Sequence, residues 1–185
     1  MSKLLIVIPA HNEEANIVQV VEELTTDYPQ YDYVVVNDGS RDQTMDKLRH
    51  IYDIADENVK VVGFSRNFGK ESAIYAGLKE SRGEMVCLID ADMQQRPELV
   101  LDMMEILDND PSYDAVACYQ KNRKESKVLS AFKNAFYKTI NKVSEIEFKS
   151  GASDFRLLRR CVVDAVLGMS EYHRFSKGIF SWVGF

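Results

Sequence analysis

The chain has 185 residues, of which 45% are hydrophobic, and its formal net charge is -6. A chain of this length and composition can bury one good core, so we expect a single compact domain over residues 1–185. The three cysteines, Cys87, Cys118 and Cys161, are widely separated and match no zinc spacing, which argues against a structural metal or a disulfide scaffold and predicts buried thiols in a reducing compartment.

The first predicted element is a β-strand from Leu4 to Ile8. The opening LLIVIPA could also pass for a small signal peptide, but its apolar run is short and the polar stretch HNEE follows at once, which favours a strand. No stretch of the sequence approaches the roughly 18 apolar residues that a spanning helix needs. We therefore expect that this polypeptide does not cross a membrane.

Strand and helix patterns alternate over the first 120 residues. The predicted strands are Leu4 to Ile8, Tyr33 to Val36, Val59 to Phe64, Met85 to Ile89 and Ala115 to Cys118. Helical patterns lie between them, near 13–26, 41–55, 70–81 and 97–108. Several of the strands are rich in valine and isoleucine, as strands buried on both faces should be. This order predicts an α/β layered fold that has a mainly parallel sheet with helices on both faces.

Four consecutive predicted strands are followed by polar loops. Ligands of parallel sheets bind at the carboxyl ends of the strands, so we expect the functional site in these loops. The sequence shows no internal repeat, low-complexity tract or linker, which indicates one site rather than several. The loops read PAHNEE at 9–14, NDGSRDQT at 37–44, SRNFGKES at 65–72 and DADMQQRPE at 90–98.

The fourth loop carries Asp90, Asp92 and Gln94 at alternate positions. In extended backbone their side chains point to one side, where three oxygen ligands could hold a divalent cation. Oxygen ligands favour Mg²⁺ or Mn²⁺ over zinc, and so few protein ligands would leave positions for the phosphate oxygens of a nucleotide diphosphate. The alternative is a polar turn in which Asp92 caps a helix at Pro97.

Groups in the other loops suit a nucleotide. The carboxylate of Asp38 could accept the imide N–H of uracil or the ring N–H and amino group of guanine, or it could act as a helix cap without a ligand. Gly39 suits a tight turn, and Ser40 or Asp42 could cap the helix that follows. The remaining candidates are Pro9 at the end of the first strand, Asn12 and Glu14 for the base and ribose, and Arg66 and Lys70 as cations near the predicted diphosphate.

Charge is divided unevenly along the chain. Residues 1–120 carry 10 Lys+Arg against 23 Asp+Glu, a balance of -13, and residues 121–185 carry 13 against 6, a balance of +7. This division suggests an anionic partner near the C-terminal part, for which lipid phosphate is a candidate. The pattern near 126–144 predicts an amphipathic basic helix, which could pack on the sheet with its lysines in water or face a membrane.

Two familiar phosphate-binding motifs are absent from the sequence. It contains no G-x-x-x-x-G-K-[ST], and the first strand is not followed by G-x-G-x-x-G. A P-loop ATPase and a classical dinucleotide oxidoreductase are therefore poor interpretations. A sugar nucleotidyltransferase would share the sheet, the metal and the nucleotide, but PAHNEE does not resemble the glycine-rich loop of those enzymes.

Five motifs, in order, resemble the inverting family 2 glycosyltransferases of the GT-A fold: PAHNEE, NDGSRDQT, RNFGKE, DADMQQRPE and SGASDFRLLRR. The resemblance runs from Leu4 to Phe185. Within the family it is strongest to the polyprenyl-phosphate branch of dolichol-phosphate mannosyltransferases and bactoprenol glucosyltransferases, through DADMQ, RNFGKE, the basic NRKES and the closing RFSKGIFSWVGF. It implies a GT-A nucleotide-diphospho-sugar transferase fold with a Rossmann-like sheet.

The same resemblance implies a metal-dependent hexosyltransferase with Mg²⁺ or Mn²⁺ as cofactor. Its donor would be a nucleotide sugar, with UDP-glucose preferred over GDP-mannose and UDP-N-acetylglucosamine, and its acceptor a polyprenyl phosphate. Residues 1–120 would bind the donor, and residues 121–185 would bind the acceptor.

Individual residues take roles from this resemblance. Asp38 would bind the base, and Asp90, Asp92 and Gln94 would bind the metal and diphosphate. Asp154 would lie near the sugar and acceptor, which makes Asp92 and Asp154 the expected catalytic residues; an ion pair with Arg156 or Arg159 is the alternative for Asp154. The lipid phosphate would be received by Arg156 and by Arg123 with nearby lysines. Arg174 and Lys177 would lie near this phosphate if the closing HRFSKGIFSWVGF contacts the membrane interface; the alternative is a terminal segment packed on the protein.

The acceptor decides how much acid–base chemistry is needed. A phosphate monoester, with a second pKa near 6, is largely ionised at neutral pH and needs no strong base. A hydroxyl acceptor would need one, and Asp154 would then be the leading candidate. The basic C-terminal part favours phosphate, and the alternatives are transfer to a sugar hydroxyl of a cell-surface polysaccharide or a non-catalytic nucleotide-sugar-binding module.

Members of this branch often continue past W-x-G-F into membrane helices, whereas this sequence ends at Phe185. We expect either a catalytic domain that stops before such helices or a protein that binds an anionic membrane surface, with Trp182 at the headgroup level. The expected location is cytoplasmic, at the inner face of the cell membrane. No nucleic-acid partner is expected, and a homo-oligomer is compatible with the sequence.

Overall fold

The computed structural model describes residues 3–54, 58–92, 94–119, 152–169, 178–180 and 183. The strands are β1 (Leu4–Ala10), β2 (Asp32–Asn37), β3 (Val59–Gly63), β4 (Met85–Leu88), β5 (Ala115–Tyr119) and β6 (Ala152–Arg159). The helices are α1 (Ile17–Asp27), α2 (Thr44–Ile54), α3 (Lys70–Glu80), α4 (Leu99–Asn109) and α5 (Arg160–Gly168). All five predicted strands and the first four predicted helices are confirmed, while the basic helix predicted near 126–144 lies outside the described residues.

The strands form one sheet in the order β3-β2-β1-β4-β6-β5. Strands β3, β2, β1 and β4 pair in parallel, and β6 is antiparallel to both of its neighbours. The predicted mainly parallel sheet is therefore confirmed. The chain winds outward from β1 in both directions, so the carboxyl ends of β1 and β4 flank the point where the strand order reverses, which is where parallel sheets bind ligands.

Strand β6 has no counterpart among the predicted strands. Three of its apolar side chains are buried, on both faces of the sheet: Phe155 and Leu157 belong to one apolar layer, and Leu158 belongs to the other. The arginines at 156 and 159 interrupt the apolar pattern, and the pairing partners of β6 are distant in sequence. Local periodicity therefore gives little signal for this strand.

Each face of the sheet is covered by helices, as predicted. Alternate residues of β1 enter the two layers: Leu4, Ile6 and Ile8 face α1, α2 and α4, whereas Leu5 and Val7 face α3 and α5. This is the period-two alternation of a strand buried on both sides. Within the described residues, no helix combines the length and the apolar character needed to cross a bilayer.

Helix α3 packs unusually closely on the sheet. A Cβ atom added at Gly77 would lie 2.2 Å from Cγ1 of Val7, so only glycine allows this approach of helix to strand. Helix α3 begins at Lys70, directly after Gly69, whose φ of 95° is in the region that favours glycine. The first residue of α3 is thereby placed beside the carboxyl ends of the strands.

The cysteines only partly match the prediction of buried thiols. Cys87 is buried in β4, and burial raises the pKa of its thiol. Cys118 is half-buried, and Cys161 at the start of α5 is exposed, so the prediction is wrong for Cys161. All three are free thiols.

Candidate active site

A cavity of about 270 Å³ lies at the carboxyl ends of β1 and β4. All four polar loops contribute to it, so the expectation that they form one site agrees with the structure. The lining residues are Pro9, Ala10, His11, Glu13, Asp38, Asn67, Lys70, Ala73, Asp90, Ala91 and Asp92.

Two carboxylates and one ammonium group meet beside this cavity. Leu88 of β4 pairs with Arg156 of the antiparallel β6, and Asp90 and Asp154 each lie two residues beyond this last pair. The Nζ atom of Lys70 lies 2.7 Å from Oδ1 of Asp90 and 2.8 Å from Oδ2 of Asp154. The ammonium of Lys70 therefore bridges the two carboxylates.

This bridge changes the acidity of the lysine. Burial lowers the pKa of Lys70, but the hydrogen bonds and charges of Asp154 and Asp90 outweigh burial, and the pKa is raised above its ordinary value. Lys70 is thus a cation at neutral pH. Of the partners considered for Asp154 from sequence, Arg159 pairs with Asp114 instead, at 3.9 Å.

The loop after β4 holds Asp90 firmly. The side-chain amide of Gln95 accepts the backbone N–H of Asp90 and donates to its Oδ2 atom, both at 3.0 Å. Gln95 was not among the predicted site residues, although it lies within the same motif as Gln94. Gln94 itself is exposed, is not among the described residues that line the cavity, and donates its backbone N–H to Oδ1 of Asp92 at 3.0 Å.

The helix-cap alternative for Asp92 is not what the structure shows. Helix α4 begins at Leu99, after Glu98, well beyond the turn that Asp92 forms with Gln94. Asp92 lines the cavity instead.

Asp90 and Asp92 supply the oxygen ligands that Mg²⁺ and Mn²⁺ prefer, at one cavity. Among the described residues, no group of three or more His, Cys, Asp or Glu side chains could hold a metal ion by itself. The two carboxylates therefore fit a cation that takes its other ligands from phosphate and water, as Mg²⁺ usually does. The ammonium of Lys70 against Asp90 shows that this carboxylate accepts a cation.

Asp38 anchors the loop that precedes α3. Its side chain is 2% exposed, and its two carboxylate oxygens accept the backbone N–H groups of Phe68 at 2.7 Å and Gly69 at 2.9 Å. Neighbouring Gly39 has a φ of 57°, and a Cβ there would lie 2.1 Å from the carbonyl carbon of Arg66. The second and third loops are thus packed backbone to backbone, and base recognition by Asp38 stays a prediction.

His11 lines the cavity but was not singled out from the sequence. Its Nδ1 atom lies 2.7 Å from the backbone oxygen of Asp38, which can only accept, so Nδ1 carries the proton. In the neutral ring Nε2 then accepts from the side-chain amides of Asn67 at 2.9 Å and Asn12 at 3.2 Å. Its place in PAHNEE, directly after β1, is the signal that could have identified it.

Three residues predicted to contact the nucleotide form contacts within the protein, and their role toward a nucleotide stays a prediction. The side chain of Asn12 accepts the backbone N–H of Arg41 at 3.0 Å, and that of Glu14 accepts the backbone N–H of Gln43 at 2.9 Å, so both tie the first loop to the second. The guanidinium of Arg66 lies 4.7 Å from the ring centre of Phe68. None of Asn12, Glu14 and Arg66 is among the described residues that line the cavity, whereas the predicted Pro9 is.

The helix cap after the second loop is Asp42 rather than Ser40. Oδ1 of Asp42 accepts both the backbone N–H of Thr44 at 3.0 Å and its hydroxyl at 2.6 Å, at the start of α2. This arrangement is one of the two predicted from the sequence.

Arg156 is the one described member of the predicted phosphate-binding set. It is 7% exposed, and its guanidinium lies 4.3 Å from the ring centre of Phe180. Burial lowers the pKa of Arg156, although the charge of Asp154 acts in the opposite direction. Its role toward a phosphate stays a prediction, and the remaining candidates, Arg123, Arg174, Lys177 and the interfacial Trp182, lie outside the described residues.

Comparison with known proteins relates this chain to a family. Residues 5–167 match the family model described as "Glycosyl transferase family 2". The chain is 39% identical over 184 residues to the putative glycosyltransferase CsbB of Bacillus subtilis, covering 97% of this chain and 55% of CsbB. It is 34% identical over 187 residues to the bactoprenol glucosyl transferase of Shigella phage SfV, covering 98% of this chain and 60% of that protein. The chain thus spans somewhat more than half the length of these relatives.

Solved structures share its fold. The mannosyltransferase PcManGT of Pyrobaculum calidifontis, in complex with GDP-Man and Mn²⁺, matches with a TM-score of 0.64 and 22% identity, over 88% of this chain and 46% of that one. Glucosyl-3-phosphoglycerate synthase of Mycobacterium tuberculosis, in complex with Mn²⁺, UDP and phosphoglyceric acid, matches with a TM-score of 0.61 and 21% identity, over 87% of this chain and 57% of that one. The expected GT-A fold is therefore confirmed.

Proposed function

The chain belongs to glycosyl transferase family 2, and from that premise we propose that it carries the catalytic domain of a metal-dependent, inverting enzyme that transfers a hexose to a polyprenyl phosphate. The donor is a nucleotide sugar, with UDP-glucose preferred. The observation that carries this proposal is the cavity at the strand-order reversal, where Asp90 and Asp92 lie together with the Lys70 ammonium.

The donor diphosphate binds at this cavity. Asp90 and Asp92 would hold a Mg²⁺ or Mn²⁺ ion, which would neutralise charge on the departing nucleoside diphosphate. Lys70 adds a second positive charge at the same edge of the sheet. The loop that Asp38 anchors forms the wall of the cavity through Asn67, next to His11. Two matched solved structures contain UDP or a GDP-sugar with Mn²⁺, which supports a donor of this class.

The acceptor proposed here is an ionised phosphate. Its oxygen attacks the anomeric carbon while the bond from that carbon to the donor diphosphate breaks, and this single displacement inverts the configuration. No proton has to be removed from an ionised phosphate, so the reaction needs no strong base. Asp154, whose carboxylate is held by Lys70 at 2.8 Å, is suited to orient groups rather than to take a proton.

Relatives support the lipid nature of the acceptor. Two proteins from Shigella phages that are named bactoprenol glucosyl transferase align with 98% of this chain at 34% identity. We propose that residues 121–185, with their balance of +7, receive the lipid phosphate at the inner face of the membrane. Arg123, Arg156, Arg174 and Lys177 are the residues proposed for this contact.

A transfer assay tests this function. Purified protein is incubated with Mn²⁺, a short polyprenyl phosphate and, in separate reactions, UDP-glucose, GDP-mannose or UDP-N-acetylglucosamine, and products are identified by mass. We expect a hexosyl phosphate lipid that requires both Mn²⁺ and the lipid phosphate, most strongly with UDP-glucose. The Asp46→Asn variant, which changes an exposed carboxylate of α2, serves as the control and retains activity.

Two results would contradict the proposal. Product that forms only with a sugar hydroxyl as acceptor would reject the polyprenyl phosphate. Tight binding of nucleotide sugars without transfer or hydrolysis of any of them would indicate a binding module rather than an enzyme.

A further inference from the structure

We propose that Lys70 is an exchangeable counter-ion of the donor site. Without a donor its ammonium contacts Asp90 and Asp154; when a divalent cation binds Asp90, the ammonium keeps Asp154 and exchanges Asp90 for the donor diphosphate. A divalent cation and a nucleoside diphosphate therefore strengthen each other's binding through Lys70. This inference rests on the proposed function, because it requires both ligands to meet at Asp90.

The geometry makes Lys70 the member of the trio that moves. Its side chain is 45% exposed, whereas those of Asp90 and Asp154 are 22% and 23% exposed. Asp90 forms two hydrogen bonds with Gln95, and Asp154 belongs to β6, whose backbone is held by its pairing with β4 and β5. A lysine side chain has a flexible four-carbon stem, so its head group can change partners without a shift of the backbone.

The backbone at Lys70 stays in place during this exchange. The two residues before it, Phe68 and Gly69, donate their N–H groups to the buried carboxylate of Asp38. Lys70 is the first residue of α3, whose close packing on β1 at Gly77 fixes the helix. Only the side chain is therefore free to turn within the cavity that it lines.

Electrostatics give the exchange its direction. A divalent cation at Asp90 repels the ammonium of Lys70, which occupies one oxygen of that carboxylate, so a cation that binds alone must displace a favourable ion pair. A diphosphate offers the displaced ammonium a new anionic partner. Coupling between two ligands is reciprocal. The nucleotide therefore raises the affinity for the cation by the same factor as the cation raises the affinity for the nucleotide.

Manganese binding measures this coupling without any turnover. Free Mn²⁺ is titrated by electron paramagnetic resonance against wild type, Lys70→Gln and Lys79→Gln, each with and without UDP. Lys79 lies in the last turn of the same helix and is exposed, which makes it the matched control. Lys70→Arg keeps the charge, and circular dichroism with thermal unfolding confirms that each variant is folded.

We expect Lys70→Gln to bind Mn²⁺ alone about fivefold more tightly than wild type, because a competing cation is lost and Asp90 is left near Asp154 without its counter-ion. UDP should strengthen Mn²⁺ binding in all four proteins, because the diphosphate is itself a ligand of the ion. The factor should be about fivefold smaller in Lys70→Gln than in wild type, Lys79→Gln and Lys70→Arg.

The possible failures are distinguishable. If Lys70→Gln binds Mn²⁺ alone as wild type does and keeps the full effect of UDP, the exchange by Lys70 is overturned and the proposed function stands. If wild type binds no Mn²⁺ with UDP or with GDP, the metal-dependent donor site is overturned, and this inference falls with it.

Discussion

Different features of the chain bring four charged side chains together at the cavity: those of Asp90, Asp92, Asp154 and Lys70. Asp90 and Asp92 follow the same buried strand, so their shared location could be predicted from the sequence. Lys70 and Asp154 are 84 residues apart, and their contact depends on the antiparallel pairing of β6, which no local pattern encodes. The same reasoning explains why Gln95 was missed, since its two bonds to Asp90 depend on how the turn closes.

Replacing Asp92 tests the proposed metal ligand. We expect Asp92→Asn to weaken Mn²⁺-dependent binding of UDP about tenfold or more, because the amide lacks the charge that a hard cation requires. Stability should be nearly unchanged, since the amide oxygen of asparagine can still accept the N–H of Gln94. Isothermal titration with Mn²⁺ present, with Asp46→Asn as control, measures the effect; undiminished UDP affinity would reject this role for Asp92.

Asp38 offers a stability test at the scale of one side chain. Removing its carboxylate in Asp38→Ala leaves the N–H groups of Phe68 and Gly69 without their acceptor, which should lower the free energy of unfolding by about 2–3 kcal/mol. Urea unfolding measures this, and hydrogen exchange at the two amides should accelerate. The control Asp53→Ala, at an exposed position of α2, should stay within about 0.5 kcal/mol of wild type; an equally small change at Asp38 would mean that this anchor contributes little.

At the scale of elements, hydrophobic periodicity and turn residues were sufficient to predict helices α1 to α4 and strands β1 to β5 from the sequence. Each has a buried face or a continuous apolar run that differs clearly from the polar loops around it. Strand β6 was not predicted because arginines interrupt its apolar pattern. Its pairing with β4 and β5 also depends on the tertiary fold, which a local pattern does not show. Helix α5 was not predicted either, so sequence periodicity missed both the strand that carries Asp154 and the helix that follows it.

The close packing of α3 on β1 predicts that Gly77→Ala lowers stability, whereas helix propensity alone predicts that it raises stability. Alanine is favoured over glycine in a helix by about 1 kcal/mol, but a Cβ at Gly77 would lie 2.2 Å from Val7, and overpacking costs about 1–3 kcal/mol. We expect Gly77→Ala to be destabilising by urea unfolding.

Gly168 is the matched control for this substitution. It ends α5, and a Cβ there would have no neighbour within 4 Å, so Gly168→Ala should be neutral or slightly stabilising. If Gly77→Ala were as stable as Gly168→Ala, the helix would not be held against the strand as described.

At the scale of the whole molecule, the convergence of four loops follows from topology. Parallel strands end at one edge, so polar residues after β1, β2, β3 and β4 meet there, and this part of the site could be predicted from strand order alone. The contacts among those loops could not, because Asn12, Glu14 and Asp38 bind neighbouring loops through specific hydrogen bonds. Residue types indicated the chemistry of the site. Only the structure distinguishes the residues that line the cavity from those that hold its loops in place.

The fold as a whole should lose stability at alkaline pH. Burial raises the pKa of Tyr33 above its ordinary value of about 10, and the pKa of Lys70 is raised as well. For a group whose pKa is raised on folding, the stabilisation is complete below the pKa of the unfolded chain and declines as pH rises above it. The free energy of unfolding should therefore fall above about pH 10.

Tyr33→Phe separates the contribution of this buried phenol. Its hydroxyl lies 2.7 Å from the backbone oxygen of Leu24 and 2.8 Å from that of Tyr28, so the variant should lose about 1 kcal/mol at pH 8. It should lose less additional stability than wild type up to about pH 11, because it has no phenol to ionise. Urea unfolding across this range, with the exposed Tyr52→Phe as control, measures the slopes, and equal slopes for Tyr33→Phe and wild type would contradict the assignment.

The most direct measurement of the proposed function is a crystal structure with Mn²⁺ and UDP-glucose. We predict a Mn²⁺ ion bound to carboxylate oxygens of Asp90 and Asp92 at about 2.1–2.3 Å, with the donor diphosphate on the same ion, inside the cavity beside Lys70. A nucleotide bound outside this cavity, with Asp90 and Asp92 contacting neither metal nor phosphate, would contradict it.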